Sequence, residues 1–197
     1  ERGDLPVRVR CSPWVTPGSN EAEWAEILER QGTGGRRWVV RGVKMFMDGT
    51  IDNGTAWLER PDTLGESLRP FWPDPEQFAT ALSWFDDHGV PTATHAIGDQ
   101  AVRHVLETLR GSSSAVRHRI EHIETIPDDL LPIFAELSVG ASMQPTHCTE
   151  YTKPDESDNW SRRLGPERTA HGWRINDLRR AGAHVALGSD WPIADSD

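Results

Sequence analysis

Six apolar segments that alternate with helical ones decide what this chain can fold into. Residues 5–15, 38–47, 90–97, 116–123, 139–143 and 183–188 read as strands. Asn20 opens a helix running to Gln31, with Trp24, Ile27 and Leu28 at helical spacing. Asp74-Pro75-Glu76 opens a second, an N-cap followed by a first-turn proline, with Phe78, Leu82 and Phe85 on its buried stripe and Gly89 at its end. Asp99 caps a third, with Val102, Val105, Leu106 and Leu109 inward, and residues 127–137 and 173–181 supply two more. Residues 48–73 and 144–171 are long polar loops, and loops of such length are often functional. Strand and helix in alternation mean a parallel sheet with crossover helices, hence an α/β class. No glycine-rich phosphate fingerprint follows the first strand, which disfavours a dinucleotide fold. Chemistry at the carboxyl ends of several strands suits a TIM-type (β/α)8 barrel, and with six strands counted here two are missing from the set of eight.

Four stretches carry residues suited to metal binding or proton transfer. His95 stands where Thr94-His95-Ala96-Ile97-Gly98-Asp99 leaves its strand, and His122 ends Arg119-Ile120-Glu121-His122. Asp190 follows the last strand in Leu187-Gly188-Ser189-Asp190-Trp191-Pro192. Imidazole and carboxylate are ordinary ligands for zinc and similar divalent ions. Each residue also has a plain structural reading. His95 serves as a core histidine bonded to backbone; His122 likewise, with His118 competing on the same strand face; Asp190 serves as a turn residue before Trp191-Pro192. Lys44 is more telling. In Val43-Lys44-Met45-Phe46-Met47-Asp48-Gly49, strand alternation puts Lys44 and Phe46 on one face and Val43, Met45 and Met47 on the other. A lysine there must snorkel, pair or change its chemistry. As an ammonium it pairs with Asp48 or Asp52; as a neutral amine it can take up carbon dioxide and bind metal as a carbamate. A third use is as the Schiff-base nucleophile of a metal-free lyase or aldolase. Arg119 and Glu121 point away from His122 on an ideal strand and read as structural. His88 and His104 read as surface or packing residues, while His147 and His171 are placed to line a substrate pocket. Cys148 is a free thiol with no base beside it.

Composition narrows the partners. With 21 Lys and Arg against 31 Asp and Glu, the formal charge is −10, which argues against nucleic acid because phosphate binding needs clustered cations. No apolar run approaches the roughly 18 residues that span a bilayer, so no membrane partner is expected. Two cysteines, Cys11 and Cys148, make neither a disulfide framework nor a zinc knuckle, and a reducing, cytoplasmic setting is the default. The chain starts at Glu1 without Met or a signal peptide and stops just past Asp190, so it is expected to be a piece of a longer protein.

Taken together, the four motifs resemble the amidohydrolase superfamily, in the family 3 branch that includes N-substituted formamide deformylases. They fall in the family's order and cover most of the chain. The resemblance implies a (β/α)8 barrel with a small β-sandwich, with residues 1–197 a partial barrel truncated to about strands 3–8. Residues 5–15 would be strand three and residues 139–143 strand seven. Lys44 would be the carboxylated bridging lysine of strand four, and His95 and His122 metal ligands on strands five and six. Asp190 would be the strand-eight aspartate that binds metal and moves protons. The implied cofactor is a divalent metal, zinc first, with iron, manganese or nickel as alternatives. The implied reaction is hydrolysis of a C–N bond in a small amide-like substrate by metal-activated water, with Asp48, His147 and Trp191 as substrate contacts. The family's first-strand His-x-His pair has no counterpart here. The chain is therefore expected to be incomplete and weakly active or inactive, with an exposed barrel edge open to a homodimer partner. The alternative is a non-catalytic barrel with a degenerate metal site, acting as a binding or scaffold domain.

Overall fold

The computed structural model describes residues 6–112 and 115–194. Strand β1 (Val9–Cys11) leads to helix α1 (Glu21–Glu29), which Asn20 caps. The Asn20 side chain accepts from the Ala22 and Glu23 amides while the Glu23 carboxylate accepts from the Asn20 amide, a reciprocal capping box. Strands β2 (Gly34–Gly35), β3 (Trp38–Val40) and β4 (Val43–Phe46) follow, then helix α2 (Pro75–Asp87). Next come β5 (Thr92–Ala96), α3 (Asp99–Leu109) and β6 (Arg119–His122). A 3-10 turn (Asp128–Leu130) runs into α4 (Leu131–Glu136), and β7 is Gly140–Met143. Three short helices, α5 (Pro145–Tyr151), α6 (Asn159–Leu164) and α7 (Pro166–Thr169), precede α8 (Ile175–Arg180) and β8 (His184–Leu187).

Strands β4 to β8 form one parallel five-stranded sheet in chain order. Each strand lies beside its predecessor and the chain crosses back between them over helices, which is the winding of a partial (β/α) barrel. A small sheet of order β1-β3-β2 stands apart from it, and a backbone bridge from Trp14 to Lys44 ties the segment after β1 to β4. The alternation read in β4 holds. Val43, Met45 and Met47 are fully buried in the main core with Phe78, Phe85, Val102, Val105, Leu106 and Phe134, while Lys44 and Phe46 stand on the other face. Complete burial of each such side chain stabilises the fold by about 1.5–3 kcal/mol. No helix among the described residues is long and apolar enough to cross a membrane.

Several expected boundaries are corrected. The strand expected over residues 5–15 begins outside the described residues with Leu5, and from residue 6 on it is not continuous: Val9–Cys11 pairs with β3, whereas Trp14 pairs with Lys44. Residues 38–47 break at Gly42, whose φ of 86° favours glycine and whose Cβ, if present, would sit 2.6 Å from the Pro91 carbonyl. The loop expected over residues 144–171 contains three short helices of four to seven residues. Asp99 is not the N-cap of α3: Gly98 is, and Asp99 is the first helical residue, its Oδ1 accepting from the Glu59 and Gln100 amides.

Candidate metal and substrate site

The site is built from the carboxyl ends of the parallel strands upward. Beyond β4, the Asp48 carboxylate is fully buried and accepts from three backbone amides: Trp57 at 2.9 Å, Ile97 at 2.9 Å and Gly98 at 2.8 Å. It thereby fastens the long loop after β4 to the turn that follows β5. Gly98 permits this closeness, since a Cβ there would lie 2.2 Å from the Trp57 carbonyl. Burial lifts the Asp48 carboxyl to about 7 against the pull of those amides. Asp48 is expected to touch substrate; in the structure both of its carboxylate oxygens are engaged by these backbone amides.

The next residue, Gly49, bonds through its carbonyl to His95 Nε2 at 2.9 Å. The imidazole therefore carries its proton on Nε2 and leaves Nδ1 as the lone-pair atom. Burial pushes His95 down to about 4, so the ring is neutral at ordinary pH. The two readings of His95 coincide, because a metal-binding histidine commonly donates its other N–H to a backbone carbonyl. The His122 ring stands 4.3 Å from that of His95, centroid to centroid. It is buried, burial first and then its His95 and Lys44 neighbours hold it well below 6.5, and its Nδ1 has no hydrogen-bond partner.

Lys44 pairs with Glu121 rather than with Asp48 or Asp52. Glu121 also accepts from Arg119 Nε at 2.9 Å. Burial raises the Glu121 carboxyl, but Lys44 and Arg119 outweigh it and hold the group below its ordinary value. The expectation that Glu121 faces away from the His122 site is thus corrected. His122 and Ile123 have φ of 78° and 52°, so the strand leaves period two at its last residue. Glu121 turns toward Lys44 by normal alternation, and the left-handed turn brings the next side chain, His122, to the same site.

A cavity of about 380 Å³ opens over these groups. Its polar lining includes Lys44, His95, His122, Glu124, His147 and Asp190, and its apolar lining Phe46, Ile97, Trp160 and Ile193, with the Tyr151 ring beside them. Asp190 has φ 61°, its side chain is 39% exposed, and its Oδ2 lies 3.8 Å from His147 Nε2. Burial raises its carboxyl, opposed by His147 and Lys44. His147 is buried on α5, its proton affinity raised first by Glu124. Trp191 is 70% exposed and lies outside the lining. Lys44, His95, His122, His147 and Asp190 are therefore brought together, and Asp48 and Trp191 are not among the lining residues. Sequence reasoning missed Glu124 and Tyr151 and read Glu121 as structural. The Glu121-His122 doublet and the acid two residues on were the available signals. His118, the rival to His122, is committed elsewhere: Nε2 meets Asp86 at 2.8 Å and Nδ1 meets the Thr92 hydroxyl at 2.9 Å.

The donors fit a divalent ion in kind: two neutral imidazoles, one with an orphaned buried nitrogen, beside a carboxylate. Among the described residues, however, no three His, Cys, Asp or Glu side chains stand close enough to hold one.

A parallel sheet wound in chain order, with histidines and an aspartate at its strand ends, defines a partial β/α barrel with a candidate site at its carboxyl face. The sequence profile of the amidohydrolase family matches residues 1–197, and the chain belongs to that family. It is 30% identical over 187 residues to Protein LONG AFTER FAR-RED 3 of Arabidopsis thaliana, covering 87% of this chain and 30% of that protein. It is 30% identical over 164 residues to the putative amidohydrolase YtcJ of Bacillus subtilis (strain 168), covering 79% and 29%. An uncharacterized metal-dependent hydrolase from Pyrococcus horikoshii OT3 superposes with a TM-score of 0.74 at 28% identity, covering 89% of this chain and 35% of that one. The chain thus spans about a third of the length of these relatives.

Proposed function

We propose that this chain forms strands three to eight of a metal-dependent hydrolase that cleaves a C–N bond in a small amide-like substrate. The observation that supports it best is the pair of neutral, buried imidazoles of His95 and His122 at adjacent strand ends, one nitrogen without a partner, opening into the same cavity as Asp190. The family and the Pyrococcus horikoshii relative point the same way. His95 and His122 would supply two of the ion's ligands, with Asp190 and Lys44 at the same cavity and the rest of the set coming from the remainder of the full-length protein, zinc being the first expectation. A divalent ion held there would polarise a carbonyl and make water a better nucleophile. Gly49 fixes the His95 ring through Nε2. Asp190, open to the cavity, takes the proton of the attacking water and returns it to the leaving nitrogen as the C–N bond breaks. Phe46, Ile97, Trp160 and Ile193 shed water around the reacting group. Lys44, if freed from Glu121, is the residue that would carry a carbamate.

The test is the metal-to-chain ratio by elemental analysis, without added metal, on this chain and on the full-length protein. A ratio of one or more that falls on His122→Asn supports the reading. A ratio near zero in both sinks it and favours a binding or scaffold barrel.

A further inference from the structure

One wall of the cavity carries polar atoms that the proposed hydrolysis leaves unused. Trp173 stacks on Trp160 at 4.3 Å, and Trp160 Nε1 donates to Glu124 Oε2 at 2.8 Å. The other oxygen, Glu124 Oε1, stands 3.6 Å from His147 Nδ1. The His147 ring lies nearly parallel to that of His122 at 5.6 Å and edge-on to Tyr151 at 5.4 Å. The ring is thus held by its neighbours and faced by a carboxylate at one nitrogen. The other nitrogen, Nε2, is buried, has no hydrogen-bond partner, and belongs to a residue that lines the cavity. Leaving such an atom unpaired costs on the order of 1–3 kcal/mol. Buried polar atoms left open in otherwise well-tied surroundings point to a ligand.

We propose that His147 Nε2 makes a hydrogen bond to the scissile amide of the substrate, and that Glu124 is the positioning residue that holds the ring for it. The inference rests on the amide-hydrolase reading and deepens it. Asp190 Oδ2 lies 3.8 Å from Nε2, so an amide bonded there sits beside the group that moves its proton. Trp160 completes the arrangement by occupying the second Glu124 oxygen, which leaves the first for the ring.

Benzamide is the probe. The chain labelled with 15N-histidine is titrated with it, and the imidazole nitrogens are followed by long-range 1H–15N spectra. His147 Nε2 is expected to move, while the exposed His88 and His184 stay in place. His147→Gln retains a polar atom near the Nε2 position and keeps benzamide affinity within about twofold. His147→Asn retains only the atom facing Glu124 and weakens it about five- to tenfold, the size of one net hydrogen bond. A His147 that only packs against Glu124 predicts the reverse order. Glu124→Gln is expected to shrink the Nε2 response. A silent Nε2 at saturating benzamide, or Asn binding as well as Gln, overturns the inference. Should the variants fail to fold, the titration of the native chain decides alone. A full-length protein that turns over no amide while Nε2 answers benzamide refutes the hydrolase reading and keeps the amide site. Turnover with a silent Nε2 overturns this inference only.

Discussion

Replacing His95 with Gln isolates one buried imidazole and predicts how its contribution varies with pH. In the folded chain burial holds His95 at about 4, against 6.5 for the free side chain. The ring is thus depressed in the native state, so its contribution to stability is complete above 6.5 and is lost as pH falls toward 4, where the unfolded chain has already bound a proton. The interval from 6.5 to about 4, at roughly 1.36 kcal/mol per pH unit, is worth about 3 kcal/mol. Gln can still donate to the Gly49 carbonyl that His95 Nε2 reaches at 2.9 Å, so the variant keeps the anchoring bond and loses the titration. Urea unfolding of both proteins at pH 7.5 and pH 4 gives two stability differences. The native chain's advantage over His95→Gln is expected to shrink by about 3 kcal/mol between them. Asp48 lies 3.6 Å from the same ring and is present in both proteins, so its own titration largely cancels. Equal differences at the two pH values would show that His95 is not held neutral, and the case for it as a ready ligand would fall.

Asp190→Ala in the full-length protein is expected to abolish nearly all turnover while melting temperature moves little, because the side chain is 39% exposed; unchanged turnover removes its proton-carrying role. His118→Ala severs the link from Asp86 to Thr92 and strips a buried carboxylate of one partner, at a cost of about 2–4 kcal/mol in urea unfolding. A loss below about 1 kcal/mol would mean the link is not structural. Gly98→Ala drives a Cβ to 2.2 Å from the Trp57 carbonyl beside the Asp48 anchor, and a melting temperature equal to that of the native chain would contradict this packing.

What the sequence discloses and what it hides follow from the range of the interactions involved. The helix stripes were legible because periodicity and capping are local: Val102, Val105, Leu106 and Leu109 are all buried, and Asn20 and Asp74 cap as read. The inward face of β4 was legible for the same reason. Period two then failed at one residue, His122, where a positive φ exempts the side chain from alternation, and Glu121 was misread with it. The partner of Lys44 could not be found locally, since Glu121 is 77 residues away and two nearer acids fitted the sequence equally well. The Asp48-Gly49 pair shows the same limit from the other side. Its residues looked like a loop start after a strand, and one of them like a substrate contact. In the fold, Asp48 grips the amides after β5 and Gly49 holds the His95 ring of β5, so the motif positions an imidazole carried by another strand. Chemistry carried by strand ends is therefore visible in sequence as residue type, whereas the bonds that orient it belong to neighbouring strands and emerge only from the parallel winding that brings those ends together.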